Sequence, residues 1–178
     1  HSSVTNHAIS KVEARADALY IMDAAGYSDS VQTVNDTVKA LDTNYVATYY
    51  PWVKILDTNL NKIISVPPSV VMPSVYAAND NAAAEWFAPA GLNRGGIAQA
   101  VQVLDRTTHS ERDTLYEGRV NPIAAFPGQG ICVWGQKTLQ IQPSALDRVN
   151  VRRLLIALKK FIASSSKFLV FEQNVAAT

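Results

Sequence analysis

The sequence is poor in the residues that carry redox and metal chemistry. Its 178 residues include one cysteine and three histidines. A single thiol cannot form an internal disulfide, and Cys132 lies in an apolar run beside Ile131 and Val133, so we expect a buried structural residue. Zinc sites need paired cysteine and histidine ligands, and the sequence contains no such pairs. We therefore expect neither a metal nor a cofactor.

The sequence also lacks the patterns of a hydrolase or a nucleotide-binding protein. A serine protease needs an acid, a base and a nucleophile that meet in space, but His1, His7 and His109 lie in terminal, polar or charged stretches, and there is no Gly-x-Ser-x-Gly elbow. The glycine-rich segment 91–96 lacks the lysine and the serine or threonine of a phosphate loop, and we interpret it as a tight turn. Segment 57–59 lacks the glycine and the distal glutamate of a calcium loop and predicts a hairpin turn. We expect no catalytic residues; an α/β hydrolase-like enzyme is the competing hypothesis.

Two further absences limit the partners. The formal net charge is only +1 at pH 7, so the chain as a whole lacks the positive excess typical of nucleic-acid-binding proteins. No apolar run reaches the ~18 residues that a membrane-spanning helix requires. We therefore expect no nucleic-acid partner and no direct membrane insertion.

Strand-like and helix-like patterns alternate along the chain. Strands are expected at 18–22, 45–56, 62–66, 123–126, 130–134 and 168–171. Helices are expected at 7–17, 30–41, from Pro67 and Pro68 to the loop at Trp86, at 110–116, and from 144 to about 165. The alternation predicts an α/β fold with a mixed, mainly parallel sheet flanked by helices.

Several side chains are expected to fix the ends and faces of these helices. Ser30 (or Asp29), Ser110 with Asp113, and Ser144 with Asp147 form cap patterns at three helix starts. In the helix after Pro68, the expected inner face is Val71, Val75 and Ala78.

The last predicted helix is the one strongly charged feature of the chain. Residues 144–167 include one acidic residue, Asp147, and six basic ones, which are Arg148, Arg152, Arg153, Lys159, Lys160 and Lys167. Helical spacing also predicts an apolar core stripe of Val151, Leu154, Leu155, Leu158, Phe161 and Ile162. The basic face is either a solvated surface or a docking surface for an acidic partner. A nucleic-acid-binding role is disfavoured, because the aromatic residues that would stack on bases are missing from this face.

Aromatic residues divide into those expected in the core and those that could lie at an interface. Tyr49, Tyr50, Trp52 and Trp134 lie in predicted strands, which favours the core. Trp86 and Phe87 lie in a loop punctuated by Pro89 and Gly91, and core and interface are equally open for them.

Short motifs follow one another along the last three-quarters of the chain. They are YPW at 50–52, VPPS at 66–69, AAND at 77–80, WFAPAGLNRG at 86–95, NPI at 121–123, GI at 130–131, VWGQKTL at 133–139 and NVRRL at 150–154. In this order they resemble the sheath protein of contractile phage tails of the T-even-like kind.

The resemblance implies a fold and a role. It implies a subtilisin-like α/β sheath core at 1–143 and, at 144–178, the start of a C-terminal region that faces the tail tube. It also implies that the chain is a fragment of a sheath subunit that polymerises helically around the tube and contracts during genome injection. The basic residues of the last helix, with Trp86 and Phe87, would then contact an acidic tube or neighbouring subunits.

The implied partners are other copies of the chain, the tail tube protein, and the baseplate and tail terminator proteins. The implied location is the virion tail, after assembly in the host cytoplasm. A contractile bacteriocin or a type VI secretion sheath has the same architecture and remains an alternative.

Overall fold

Helices and strands alternate through the computed structural model, which describes residues 2–172. The expectations that concern His1 and residues 173–178 lie outside the described residues. The helices are α1 (Ser2–Arg15), α2 (Val31–Val38), α3 (Pro68–Ala82), α4 (His109–Glu117) and α5 (Val149–Ser165). The strands are β1 (Tyr20–Met22), β2 (Val46–Tyr50), β3 (Val53–Asp57), β4 (Lys62–Val66), β5 (Ala100–Val103), β6 (Asn121–Phe126) and β7 (Gly130–Val133).

The strands form two sheets. The larger has the order β1-β2-β6-β7, in which β1, β2 and β6 are parallel and β7 is antiparallel to β6. The smaller has the order β4-β3-β5 and is antiparallel. The predicted α/β fold with a mixed sheet flanked by helices is therefore confirmed, with its parallel pairs in the larger sheet. The subtilisin-like label stays a prediction.

Strand β2 lies at the centre of the molecule. All five of its residues are buried, and neighbouring side chains of a strand point to opposite faces. Ala47 and Tyr49 belong to one hydrophobic cluster, with Val71, Val75 and Ile123. Val46 and Tyr50 belong to a second cluster, whose other members include Val34, Val38, Leu115 and Leu139. The strand is thus covered on both faces, as expected of a parallel strand in an α/β protein.

The stretch expected as one strand at 45–56 is two strands in different sheets. β2 ends at Tyr50, the Tyr50–Pro51 peptide bond is cis, and β3 begins at Val53 in the smaller sheet. Pro51 has no N–H to donate to a strand ladder, which explains the break. The Trp52 indole N–H donates to the carbonyl oxygen of Ala25 at 3.0 Å, which anchors the connection.

Helix ends confirm one predicted cap and correct another. Ser30 caps α2, with its hydroxyl oxygen accepting from the Thr33 N–H. The capping box of α4 is formed by Thr108 and Glu111, so the prediction of Ser110 with Asp113 was wrong: the cap lies earlier in the chain, at Thr108 instead of Ser110. Thr108 has the extended backbone that a cap requires, and the Glu111 carboxylate accepts from its N–H at 2.7 Å.

Three other expectations are corrected. The inner face of α3 continues from Val75 to Asn79, which is 1% exposed, whereas Ala78 is exposed. Ser144 caps the short 3-10 turn Ala145–Asp147 instead of α5. Residues 168–171 form no strand, because Lys167–Leu169 is another 3-10 turn and no described strand pairs with it.

Two polar side chains fasten the larger sheet. Buried Asn121 donates from Nδ2 to the carbonyl oxygens of Thr48 at 3.0 Å and Lys137 at 2.8 Å, and its Oδ1 accepts from the Lys137 N–H. Arg119 donates to the carbonyl oxygens of Leu41 and Leu139. These bonds satisfy backbone groups in β2 and in the segments that follow α2 and β7.

The glycine-rich segment forms a tight turn that is hydrogen-bonded to β7. Gly91 has a φ of 81°, the left-handed region that glycine tolerates. The Gly91 N–H donates to the Val133 carbonyl oxygen, and the Val133 N–H donates to the Gly95 carbonyl oxygen, each at 2.8 Å. A Cβ atom at Gly95 would lie 2.8 Å from the Ala90 Cα and from backbone atoms of Gly91. Cys132 lies in the same strand, and its predicted burial is confirmed.

Replacing Gly95 by alanine should destabilise the fold, because backbone atoms must move to admit the methyl group. We expect Gly95→Ala to lower the free energy of unfolding by about 1–3 kcal/mol. Urea denaturation would measure the loss. Gly96→Ala is the matched control, since a Cβ there meets nothing within 4 Å. Equal stability of the two variants would contradict this account of the turn.

Candidate interaction surface

Helix α5 packs on the domain with one side, which carries both apolar residues and an arginine. Its buried residues are Val149, Arg152 and Ile156. Successive residues of a helix are 100° apart, so these three lie on one side. Arg152 is 7% exposed.

Arg152 joins α5 to the segment that enters β2. Its Nη2 donates to Asn44 Oδ1 at 2.6 Å, and its guanidinium lies over the Tyr45 ring, 4.1 Å from the centroid. Burial lowers the pKa of Arg152 from its ordinary value, opposed by the Tyr45 phenol. The Arg152 charge is stabilised by the face of the Tyr45 ring and by the Asn44 amide oxygen, so this side chain makes its contacts within the domain.

Arg153 joins α5 to α3. Its guanidinium contacts the Asp80 carboxylate with both Nη atoms, and the Nη1 distance is 2.9 Å. The same group lies over the Tyr76 ring, 4.6 Å from the centroid. The side chains of Arg153 and Asp80 are 13% and 28% exposed, so water screens this pair less than a surface pair.

Two buried tyrosines continue this connection into the core. The Tyr76 and Tyr49 hydroxyl oxygens are 2.6 Å apart. Burial raises the pKa of Tyr76 to about 12, and burial together with Tyr76 raises the pKa of Tyr49 well above its ordinary value. Asp80, Arg153, Tyr76 and Tyr49 therefore form a polar connection, here called the α3–α5 clamp, from α5 through α3 to β2.

Arg148 is also occupied within the domain. Its Nε lies 3.1 Å from Asp147 Oδ1, and its Nη1 donates to the Tyr116 hydroxyl. The Lys137 ammonium lies over the same Tyr116 ring, 4.1 Å from its centroid. The prediction of one continuous basic outer face is thus wrong for Arg152 and Arg153, whose guanidinium groups contact Tyr45 and Asp80 within the domain, whereas the Arg148 side chain stays 39% exposed.

The opposite side of α5 is apolar and exposed. Leu155 is 41% exposed, Leu158 44%, Phe161 67% and Ile162 60%. These four residues, here called the outer face of α5, were predicted to be core, and that prediction was wrong. Periodicity grouped them correctly, but they point away from the buried arginine side. The two other residues of the predicted stripe, Val151 and Leu154, are half-buried. The remaining predicted basic residues, Lys159, Lys160 and Lys167, are exposed.

The aromatic loop lies beside the start of α5. Trp86 is 56% exposed and Phe87 40% exposed, with ring centroids 6.4 Å apart, and the Arg94 guanidinium lies 5.0 Å from the Phe87 centroid. Asn150 of α5 donates from Nδ2 to the Trp86 carbonyl oxygen at 3.0 Å. The structure therefore brings this loop to the start of the helix that carries the predicted lysines.

Asn79 holds the aromatic loop from the α3 side. Its Nδ2 donates to the carbonyl oxygens of Ala84 and Phe87, each at 3.2 Å. Sequence reasoning gave neither Asn79 nor Asp80 a role, although both belong to the AAND motif. A buried asparagine at the end of an apolar helix face was the available signal, whereas the partner of Asp80, Arg153, is remote in sequence. Trp134, expected in the core, is 44% exposed and packs against Phe126.

Both histidines of the described residues are exposed. His109 lies at the surface with Nδ1 2.8 Å from Asp113 Oδ2, and His7 is exposed on α1. Within residues 2–172 there is no group of three metal-ligating side chains. In the same residues no helix is both long and apolar enough to cross a membrane. A cleft of about 510 Å³ beside β6 is lined by Asp105, Arg106 and Thr107 but by no histidine.

Comparisons with known proteins agree with one another. The pattern of the phage tail sheath protein central domain matches residues 1–139. The tail sheath protein of Enterobacteria phage T4 is 36% identical over 155 residues, which are 87% of this chain and 22% of that protein. The tail sheath protein of Vibrio phage KVP40 is 37% identical over 141 residues, which are 79% of this chain and 20% of that protein. The chain therefore spans only 20–22% of the length of these curated relatives.

A solved structure with the same arrangement is the PVC sheath complex, an extracellular contractile injection system in its contracted state. It overlays with a TM-score of 0.75 at 29% identity, over 87% of this chain and 42% of that one.

Removal of the Arg153 guanidinium should weaken the α3–α5 clamp. We expect Arg153→Met to lower the free energy of unfolding by about 1.5–3 kcal/mol, because the Asp80 carboxylate loses its charged hydrogen-bond partner. Lys159→Met is the matched control on the same helix, where a change within about 0.5 kcal/mol is expected. A double-mutant cycle with Asp80→Asn, followed by urea denaturation, would isolate the pair; zero coupling would show that the contact adds no stability.

The tyrosine pair predicts a loss of stability at alkaline pH. The phenol of Tyr76 has its pKa raised to about 12 in the folded protein, whereas an unfolded tyrosine ionises near pH ~10. The free energy of unfolding that the protonated Tyr76 phenol contributes is fully present below pH ~10 and is lost as the pH rises towards 12. Denaturation at pH 8 and at steps up to pH 11 should give a shallower decline for Tyr76→Phe than for the unmodified chain. Tyr27→Phe, at a 58% exposed position, is the control; identical slopes for all three proteins would refute the assignment.

Proposed function

Because the chain belongs to the phage tail sheath protein family, we propose that it forms part of a structural subunit of a contractile tail sheath. The observation that carries the proposal is the family match over residues 1–139. Many copies of the subunit would wrap the tail tube as a helix. Contraction of that helix would drive the tube through the host envelope during genome injection.

A sheath of this kind would require a rigid subunit and would need no catalytic site. Head-to-tail contacts that do not close on themselves generate helical lattices. Contraction is then a rigid-body rearrangement of subunits from an extended to a shorter lattice of lower free energy. Two hydrophobic clusters on either side of β2 and the α3–α5 clamp support this role, because they keep the domain in one shape while its contacts change. The energy would be stored in the lattice, so the subunit would be a structural protein and not an enzyme.

The proposed partners follow from the same role. They are other copies of the subunit, the tail tube protein, and the baseplate and tail terminator proteins. The subunit would reside in the virion tail after assembly in the host cytoplasm. The similarity to the PVC sheath complex supports a place in an assembled sheath.

The candidate contact residues are those that the fold leaves exposed. Lys159, Lys160 and Lys167 would meet an acidic tube or neighbouring subunit, and Trp86 and Phe87 would add an apolar contact near the start of α5. Arg148, Arg152 and Arg153 would act indirectly by holding α5 in place. We also propose a division near residue 143 between the sheath core (1–143) and the start of the tube-facing region (144–178). The family match ends at residue 139, just before this boundary, which supports the division.

A phage tail is favoured over a bacteriocin, a type VI secretion sheath or another injection system. The T4 relative is 36% identical, whereas the PVC sheath is 29% identical over an equal share of the chain. An α/β hydrolase-like enzyme has no supporting observation among the described residues.

Charge reversal of the exposed lysines tests the proposed tube contact. In the full-length polypeptide that contains this chain, Lys159→Glu, Lys160→Glu and Lys167→Glu together should weaken assembly on purified tail tubes. Exposed charge pairs contribute only ~0–1 kcal/mol each, but the contact repeats along the sheath. We expect the affinity for tubes to fall about tenfold or more, the effect of losing ~1.4 kcal/mol. Electron microscopy of decorated tubes at several salt concentrations would measure it.

The control carries the same change in charge on other parts of the surface. Lys11→Glu, Lys39→Glu and Lys62→Glu alter three exposed lysines near α1, α2 and β4, and we expect normal sheath assembly. Normal assembly by the α5 variant would refute the tube contact but leave the sheath role intact. The absence of any regular tubule from the unmodified full-length protein, even with tubes and baseplates present, would refute the sheath role itself.

A further inference from the structure

The outer face of α5 is unusual for the surface of a folded domain. Leu155, Leu158 and Ile162 follow one another at helical spacing, with Phe161 beside them. All four are at least 41% exposed. Lys159 comes four residues after Leu155 and lies on the same side of the helix. Exposed apolar surface of this kind marks a contact with another protein surface, and the lysine calls for acidic groups at the edge of that surface.

A hollow that fits this description lies at the ends of β1 and β2. It has a volume of about 500 Å³, and the residues that line it include Val4, Tyr20, Asp23, Ala24, Trp52 and Pro67. The exposed Tyr27 ring meets Trp52 edge to face, with centroids 5.7 Å apart, and extends the apolar surface. This region is here called the Trp52 hollow.

The Trp52 hollow is acidic where the outer face of α5 is basic. Asp23 is exposed and accepts from the Ser69 N–H at 3.0 Å, which fixes its carboxylate beside the hollow. Asp29 Oδ2 accepts at 2.6 Å from the N–H of Gly26, another lining residue. Among the described residues, no lysine or arginine lines the hollow, whereas residues 155–167 contain three lysines and no acidic residue. The two surfaces are therefore complementary both in charge and in their apolar character.

The two surfaces lie at opposite ends of α3. The helix begins beside the Trp52 hollow, where Ser69 donates to Asp23. It ends beside α5, where Asp80 contacts Arg153. Ser69 and Asp80 are about 16 Å apart along the helix axis, at 1.5 Å per residue. Since the outer face of α5 also points away from the domain, a contact between the two surfaces joins two copies and does not form within one.

Other pairings of the outer face of α5 fit less well. Leu56 and Ile63 are exposed neighbours on the β3–β4 hairpin. The same two strands carry Lys54 and Lys62 against one acidic residue, Asp57. The lysines of α5 would meet lysines there, and like charges at an interface disfavour association. Two outer faces of α5 brought together would place lysines near lysines in the same way.

We infer that the outer face of α5 in one copy packs into the Trp52 hollow of the next copy. Leu158 and Phe161 enter the apolar hollow, and Lys159 meets the carboxylates at its edge. Each copy at the end of such a chain keeps one free face or one free hollow, so these head-to-tail contacts build an open array. The inference rests on the proposed sheath role, because it names the surfaces through which copies of the subunit join.

Cross-linking between two different variants tests this pairing. Phe161→Cys and Ala24→Cys, each in the full-length polypeptide that contains this chain, are mixed and treated with a short bis-maleimide, both in solution and under assembly conditions. We expect at least about tenfold more cross-linked dimer than from Phe161→Cys mixed with Ile63→Cys, because contact raises the effective concentration of the paired thiols. Ile63 is 59% exposed, so the control thiol is accessible. Peptide mass spectrometry identifies the joined sites, and Cys132 is buried.

The outcomes separate this contact from the sheath role. Absence of the specific cross-link would overturn the inference, and regular tubules formed without it would leave the sheath role intact. The specific cross-link without any tubules would support the contact and count against the sheath role. A stronger dimer from Phe161→Cys alone would assign the face to same-face pairing and overturn the inference.

A measurement without substitutions keeps the test independent of any harm done by the variants. Hydroxyl-radical oxidation of Phe161 and Tyr27 in the unmodified full-length protein should be strong in the monomer and should fall for both residues together on self-association, as followed by sedimentation. Protection of Phe161 already in the monomer would show that another part of the polypeptide covers the face. That result, or protection of Phe161 on self-association while Tyr27 stays reactive, would contradict the pairing.

Discussion

The contact between Arg153 and Asp80 is the constraint on which the arrangement of the candidate surface depends. It fixes one side of α5 to α3, and the Tyr76 and Tyr49 hydroxyls extend that connection to the central strand β2. With this side turned inward, Leu155 and Leu158 face outward, and the start of the helix comes beside the Trp86 loop. Burial, charge pairing and aromatic contact thus act together at a single side chain.

Such an arrangement explains why the sequence predicted the grouping of the α5 residues but not their direction. Helical spacing separates Leu155 and Leu158 from Arg152 and Arg153 correctly. Spacing alone assigns the apolar side to the core, whereas arginine can bury its aliphatic stem and place its guanidinium over a ring. The deciding partners, Asn44 and Asp80, are remote in sequence and become visible only in the fold.

The rest of the prediction shows the same division between local and tertiary information. The Ser30 cap, the buried Cys132 and the turn at Gly91 were predicted from short stretches of sequence, and all are confirmed. The strand expected at 168–171 needs a pairing partner, and the described residues offer none. The position of Trp86 beside α5 rests on hydrogen bonds from Asn79 and Asn150, which no local pattern announces.

The anchoring of α5 is uneven along its length, and this has a mechanical consequence. Ile156 is the last buried residue of the helix, which continues to Ser165. At 1.5 Å per residue, the remaining nine residues extend about 13 Å beyond the final anchor. The helix is therefore anchored to the domain through the buried residues of its first half. A load applied near Ile162 by a neighbour would be transmitted as torque to Arg153 and, through α3, to the centre of the larger sheet.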